Sequence, residues 1–216
     1  MRGRGAYFLG KLVLPENDPL AVIIPEQAEG YLALVSSSGF VRSLRHHVFG
    51  EYMKPGLELY KAAQYGQLAA ACWTPGNGDL FIATRQGKAI RFSEKLIPPT
   101  GAQGIRMTDG DEAIGIAPVY DESSVFLLSA DGRGTLRVMS NFTPNKAPGA
   151  GGKQAINNDQ LIAALGADGH KDAIIISRLS KIIRFSLEDI PRKDSVVQGV
   201  ILMSLRADEP VAATLA

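Results

Sequence analysis

Four segments of this chain resemble one another at a near-constant spacing, and any fold it adopts must repeat with them. The clearest copy runs from Asp79 to Phe92, DLFIATRQGKAIRF. Leu80, Ile82 and Thr84 alternate with Phe81 and Ala83, Arg85-Gln86-Gly87 supplies a turn, and Ala89 to Phe92 leads back out. That pattern predicts a β-hairpin. Gly87 suits a turn position of positive φ, where a side chain would clash. Further copies span Leu32 to Arg42, Val125 to Arg137 and Ala173 to Arg184. Their turn positions align at Gly39, Gly87, Gly132 and Ser180, at intervals of 48, 45 and 48 residues. Self-similarity at such a period belongs to propellers, solenoids and arrays.

A second element keeps step with the first. A polar turn followed by small and branched apolar residues begins at Asp18 (DPLAV), Gly66 (GQLAA), Asp111 (DEAIG), Asp159 (DQLIA) and Asp208 (DEPVA). From this turn to the hairpin turn is 21 residues in each of the four complete copies, 18 to 39, 66 to 87, 111 to 132 and 159 to 180. The reading is a single domain over residues 1–216, with units at 18–65, 66–110, 111–158 and 159–207 and partial units at 1–17 and 208–216. Each unit is long enough for a four-stranded blade. Strands are expected over Phe8 to Val13, Leu20 to Ile24, Tyr31 to Val35, Gln67 to Trp73 and Asp79 to Thr84. Prolines limit Ser93 to Pro98 and Glu188 to Pro191 to short helical turns. The predicted class is all-β, a propeller of about four blades, with termini that either pair to close a ring or leave edges to be managed.

The charge balance narrows the partners. A formal charge of +1 excludes a uniformly basic coat and leaves local patches. The single cysteine, Cys72, excludes an intrachain disulfide and fits a reducing compartment, and its apolar run from Leu68 to Trp73 makes it a buried small hydrophobe. Lys11 interrupts the apolar stretch near the start and no small-residue cleavage site follows, which argues against a signal peptide. No run of about 18 apolar residues exists, so no membrane span is expected, and the cytoplasm is the expected compartment.

Leu80 to Phe92, then Glu94, Gly104-Ile105-Arg106-Met107 and Gly110-Asp111-Glu112, together resemble the repeat of DNA gyrase and topoisomerase IV A subunits. Ile182-Ile183-Arg184-Phe185, Asp189-Ile190-Pro191, Gln198-Gly199-Val200 and Asp208-Glu209 repeat the likeness, and Gly39-Phe40-Val41-Arg42 is similar to a variant of it. The resemblance runs from about Gly10 to Ala216. It implies a β-pinwheel, a propeller-like ring that binds and bends duplex DNA around its rim, beside the catalytic part of a type II topoisomerase that lies outside this chain. No catalytic residue and no cofactor are implied, and the bacterial nucleoid would be the place of work. Two departures stand out. Where the gyrase box has an arginine pair ahead of its Gly-Gly-Lys, this chain has Gly149-Ala150 before Gly151-Gly152-Lys153, which speaks against gyrase-style wrapping. Residues 101–150 also hold four cations against six acids, a poor surface for DNA. A diverged pinwheel that serves as a protein-interaction scaffold is the alternative.

Duplex binding needs cations at phosphate spacing, because affinity comes mainly from counterion release. Each repeat offers cations after its turn, Arg42 and Arg45, Lys88 and Arg91, Arg133 and Arg137, Lys181 and Arg184, with Lys146 and Lys153 near the glycine loop. On the rim they would position DNA without reading its sequence. Otherwise they are solvated outer-strand residues that deter edge pairing. Other chemistry finds no support. The loop GAGGKQ has Ala147 where a Walker glycine belongs and Gln154 where Ser or Thr belongs. His46, His47 and His170 show no convergent metal-ligand spacing. Ser36 to Ser38 occupy a hairpin turn, and Trp73 is expected in the core.

Overall fold

Alternating apolar residues on both arms and a left-handed residue at the turn make each repeat a hairpin. In the computed structural model, which describes residues 20–25, 27, 29–50 and 56–216, four such hairpins form. They are β1 (Tyr31–Ser36) with β2 (Phe40–Arg45), and, after β3 (Leu68–Thr74), β4 (Asp79–Thr84) with β5 (Lys88–Ser93). After β6 (Ala102–Gln103) and β7 (Ala113–Val119) come β8 (Ser124–Ser129) with β9 (Arg133–Val138). After β10 (Lys153–Gln154) and β11 (Leu161–Gly166) come β12 (Asp172–Ser177) with β13 (Ile182–Ser186). The last strands are β14 (Arg192–Lys193), β15 (Val200–Ile201) and β16 (Pro210–Leu215). Each hairpin closes through the N–H of its turn residue onto the carbonyl three positions back: Gly39 on Ser36 (2.9 Å), Gly87 on Thr84, Gly132 on Ser129 and Ser180 on Ser177 (each 3.0 Å). The four aligned positions all carry positive φ, 83°, 77°, 80° and 63°, the last on a serine. This is the hairpin in which a left-handed residue follows a type I turn.

The sheets are the blades of a four-bladed propeller, and blade and sequence unit are out of phase. Blade one is ordered β3-β1-β2-β6, blade two β7-β4-β5-β10, blade three β11-β8-β9-β14 with β15 also on β9, and blade four β16-β12-β13. The apolar strand that opens each unit therefore becomes the inner strand of the blade before it. One recurrent bond ties it there: Ser37, Arg85, Ala130 and Arg178 donate their N–H to the carbonyls of Gln67, Glu112, Gln160 and Glu209 at 2.7–2.9 Å. The fixed 21-residue offset reflects this stitching. The short strands β6, β10 and β15 reach back in the same way, each onto the outer edge of the preceding blade, and act as clasps.

The core lies between blades. Ala33, Val35 and Val41 of blade one meet Leu80, Ile82, Ile90 and Phe92 of blade two. Phe81 of blade two meets Val125, Leu127, Met139 and Phe142 of the third unit. Phe126, Leu128 and Leu136 of blade three meet Ala173 and Ile175 of blade four. Burying one such large side chain contributes about 1.5–3 kcal/mol. The inner strands of all four blades line an axial cavity of about 490 Å³, with Cys72 and Trp73 from β3, Ile116 from β7, Leu165 from β11 and Leu215 from β16.

Short helical turns form at Glu94–Leu96, within the expected stretch Ser93 to Pro98, and at Leu187–Asp189, which begins one residue before the expected stretch Glu188 to Pro191. The expected strand from Leu20 to Ile24 does not form. Its residues lie outside every sheet, with Leu20 and Ile23 exposed, because β16 already occupies the inner position of blade four. The expected strand from Phe8 to Val13 and the partial unit at 1–17 lie outside the described residues. An unexpected single helical turn, α1 (Ala62–Tyr65), stacks Tyr65 on Phe40 with ring centroids 3.9 Å apart.

Candidate nucleic-acid interface

The strand after each turn was expected to form the rim. It is instead the third strand of its blade, and in blades one to three the returning clasp covers its outer edge. The cause is hydrogen-bond accounting, since an outer strand leaves a row of N–H and C=O groups that the next unit satisfies. The rim is made of β6, β10, β14 and β15, and the candidate cations divide accordingly.

Two of them leave the candidate surface. Arg91 is 3% exposed. Its guanidinium bonds Asp79 (2.8 Å) and Asp121 (2.7 Å) and donates to the carbonyls of Met139 (3.0 Å) and Phe142 (3.3 Å). It bolts blade two to the loop of the third unit and has nothing left for a phosphate. Arg137 is 5% exposed, with its guanidinium carbon 5.7 Å from the centroid of the Phe142 ring. Burial pushes its pKa down, against the opposing pull of Asp194.

The others remain near solvent with different degrees of freedom. Arg42 is held by the carbonyls of Leu59 and Pro99, and Arg45 lies 5.8 Å from the Tyr31 ring centroid. Arg133 donates to the carbonyl of Gly199 at 3.2 Å and sits 3.7 Å from Asp131. Lys181 is 4.0 Å from Asp208, and Arg184 is exposed but paired to Asp172 at 2.8 Å. Arg184–Asp172 repeats the pair Arg91–Asp79 in the last blade, without the covering loop. Lys153, on the clasp β10, donates to the carbonyl (3.0 Å) and hydroxyl (2.7 Å) of Thr143 and stands 5.5 Å from the Phe142 ring centroid. Lys88 is half-buried and Lys146 exposed, and neither makes an ion pair with a described residue.

Sequence reasoning missed Arg192 and Lys193. Both are exposed on β14, which runs parallel to β9 at the outermost edge of blade three. They lie twelve and thirteen residues beyond the turn at Ser180, outside the register of cations next to the turn. The adjacent basic pair after Pro191 was the signal. The glycine loop is also explained. Gly152, with φ of 72°, brings its backbone against Ala89, so the loop is the start of a clasp rather than a phosphate cradle. At the place of the gyrase-box arginines, Gly149 donates to the carbonyl of Gly104 (2.8 Å), and the Ala150 carbonyl accepts from Arg106 (2.9 Å). His46 and His47 sit in a short helical turn with rings 5.9 Å apart. Burial, reinforced by Glu94, pushes the Cys72 thiol up to about 12, so it stays protonated.

A family model described as the DNA gyrase C-terminal domain, beta-propeller, matches residues 78–119 and 171–216, the stretches that hold the hairpins of blades two and four. The DNA gyrase A protein of Staphylococcus epidermidis is 26% identical over 218 residues, covering 94% of this chain and 24% of that protein. The chain thus spans about a quarter of the length of the curated relatives it matches. Among solved structures, a DNA gyrase A C-terminal domain superposes with a TM-score of 0.80 at 17% identity, over 96% of this chain and 73% of that one. A DNA topoisomerase IV C-terminal domain superposes with a TM-score of 0.68 at 15% identity, over 89% and 64%. The chain thus has the propeller fold of the DNA gyrase A and topoisomerase IV C-terminal domains, and its sequence is similar to DNA gyrase A over nearly its whole length.

Proposed function

We propose that this domain is a non-catalytic accessory module that binds duplex DNA along its rim, without sequence preference, beside the catalytic part of a type II topoisomerase. The observation that carries the reading is the placement of exposed cations on the outermost strands of two successive blades, Lys153 on β10 and Arg192 and Lys193 on β14, with Lys146 and Arg133 close by. Lys146 and Lys153 lie at the edge of blade two and Arg192 and Lys193 at the edge of blade three, with half-buried Arg133 one strand inside it. The edges of blades two and three are neighbours on the rim, so a duplex laid across them meets cations from both, and phosphate contacts of this kind position DNA without reading it. The acids of residues 101–150 that weighed against binding are partly engaged by the fold, Asp121 at the surface by Arg91 and Asp111 by the backbone N–H of Gln86 and Glu112. With the arginine pair of the gyrase box replaced, the contact bends or docks DNA rather than wrapping it tightly. The module works in the cytoplasm, at the nucleoid; among the described residues no helix is long and apolar enough to cross a membrane.

Anisotropy of a labelled duplex of about 40 base pairs across a salt series tests the reading. Four to six phosphate contacts give a log–log slope of about −4 to −5. Absence of binding at low salt overturns the reading and leaves the scaffold alternative.

A further inference from the structure

The clasps obey one rule in three blades. Each starts at a glycine of positive φ, namely Gly101, Gly152 and Gly199. The residue one past the hairpin turn pairs with the residue two past this glycine, and the residue two past the turn pairs with the residue one past it. The pairs are Phe40 with Gln103 and Val41 with Ala102, Lys88 with Gln154 and Ala89 with Lys153, then Arg133 with Ile201 and Gly134 with Val200. The carbonyl of the turn glycine accepts from the third and fourth residues of the clasp. Gly104 and Ile105 donate to Gly39 (2.8 and 3.4 Å), Ala155 and Ile156 to Gly87 (2.8 and 3.4 Å), and Leu202 and Met203 to Gly132 (2.8 and 3.2 Å).

The described residues hold one more segment of clasp-like sequence and one more open strand edge, and they do not meet. Gly56 has a φ of 81° and precedes Leu57-Glu58-Leu59-Tyr60 at the corresponding place in the first unit. At Gly101, Gly152 and Gly199 an added Cβ would come within 2.8–2.9 Å of a backbone oxygen of the neighbouring blade, whereas at Gly56 it would meet nothing within 4 Å. Leu57 is 46% exposed. At the other end of the array, no described strand pairs with the outer edge of β13, where Ile182 is 65% exposed beside Lys181 and the left-handed Ser180.

We propose that the outer edge of blade four is the docking site for residues 56–60 of a second copy of this chain. Carrying the three-blade register over places Glu58 opposite Lys181 and Leu57 opposite Ile182, with the Ser180 carbonyl accepting from Leu59 and Tyr60. An opposite-charge pair and an apolar pair result, and both kinds stabilise antiparallel strands. The second copy is the occupant because the donor is anchored at home. Leu59 accepts from Arg42, and the Tyr60 ring lies 6.0 Å from Phe40 in its own blade. Apolar clusters of described residues join blades one to two, two to three and three to four, and none joins four to one. Donor and acceptor thus belong to the two terminal blades of the array, the arrangement of a head-to-tail, heterologous contact made by strand addition.

The test uses the 216-residue chain in a Cys72→Ala background. Leu57→Cys and Ile182→Cys variants, mixed and treated with a short bis-maleimide, give more cross-linked dimer than either variant alone, and the doubly substituted chain gives a ladder. Cross-linking of the double variant only within the monomer, or no excess dimer in the mixture, overturns the proposal. Both positions are exposed, so the fold survives the substitutions. As an independent arm, Lys181→Glu and Glu58→Lys each lower the association seen by sedimentation velocity at least threefold, and the double reversal restores it. Failure of the restoration contradicts the register.

Discussion

At the scale of single residues, two kinds of position carry the fold. The hairpin turns demand a left-handed residue, which costs a non-glycine side chain roughly 1–2 kcal/mol. Ser180→Gly is therefore expected to stabilise the domain by roughly 1 kcal/mol in urea denaturation. Gly132→Ala should destabilise by more than about 2 kcal/mol, since the strain is joined by a collision with the Met203 carbonyl oxygen. Arg91 is the other kind, a buried cation with partners from two units. Arg91→Met leaves Asp79 and two carbonyls unpaired, at an expected cost of about 3–5 kcal/mol in the same assay. The salt slope of duplex binding by its folded fraction should not change. The related pair Arg184–Asp172 is exposed, so Arg184→Met should cost less than about 1 kcal/mol.

At the scale of elements, much of the structure is legible in the sequence because it is local. Alternation, the turn glycines and the fixed offset predict the four hairpins, and even the serine at 180 falls in place by alignment. Strand exchange is not local. Nothing in KAIRFS announces that its outer edge is covered by Lys153-Gln154, some sixty residues later, so Arg91 and Lys153 read alike although one is buried and the other exposed. Leu20 to Ile24 fails as a strand for the same reason, since a strand needs a free edge and β16 fills it. Asp208 shows how such an element is anchored. It accepts from Ser177 (2.7 Å) and from the N–H of Leu179 (3.1 Å) and Glu209 (2.9 Å), fixing the entry of β16 to the turn of blade four. Burial would raise its pKa, but these bonds and Lys181 outweigh that and hold the carboxyl below its ordinary value. The stabilisation is complete above the unfolded pKa of about 4 and is lost as pH falls through the lower folded value. Urea midpoints taken downward from pH 6 should therefore fall less steeply for Asp208→Asn than for the parent chain.

At the scale of the whole molecule, the domain is an array of blades stitched by segments borrowed from the next unit. Its rim is a surface of clasps, and its cations are sorted by this architecture into buried bolts and solvent-facing groups. The most direct measurement compares two substituted proteins by duplex anisotropy over a salt series. Reversing Lys146, Lys153, Arg192 and Lys193 to Glu should reduce the magnitude of the log–log slope by about four, close to one per lost phosphate contact. Reversing Arg45 and Arg184, an exposed pair away from the clasps, should change it by about one or less. An unchanged slope in the first protein, or a larger loss in the second, would contradict a DNA-binding rim built from clasps.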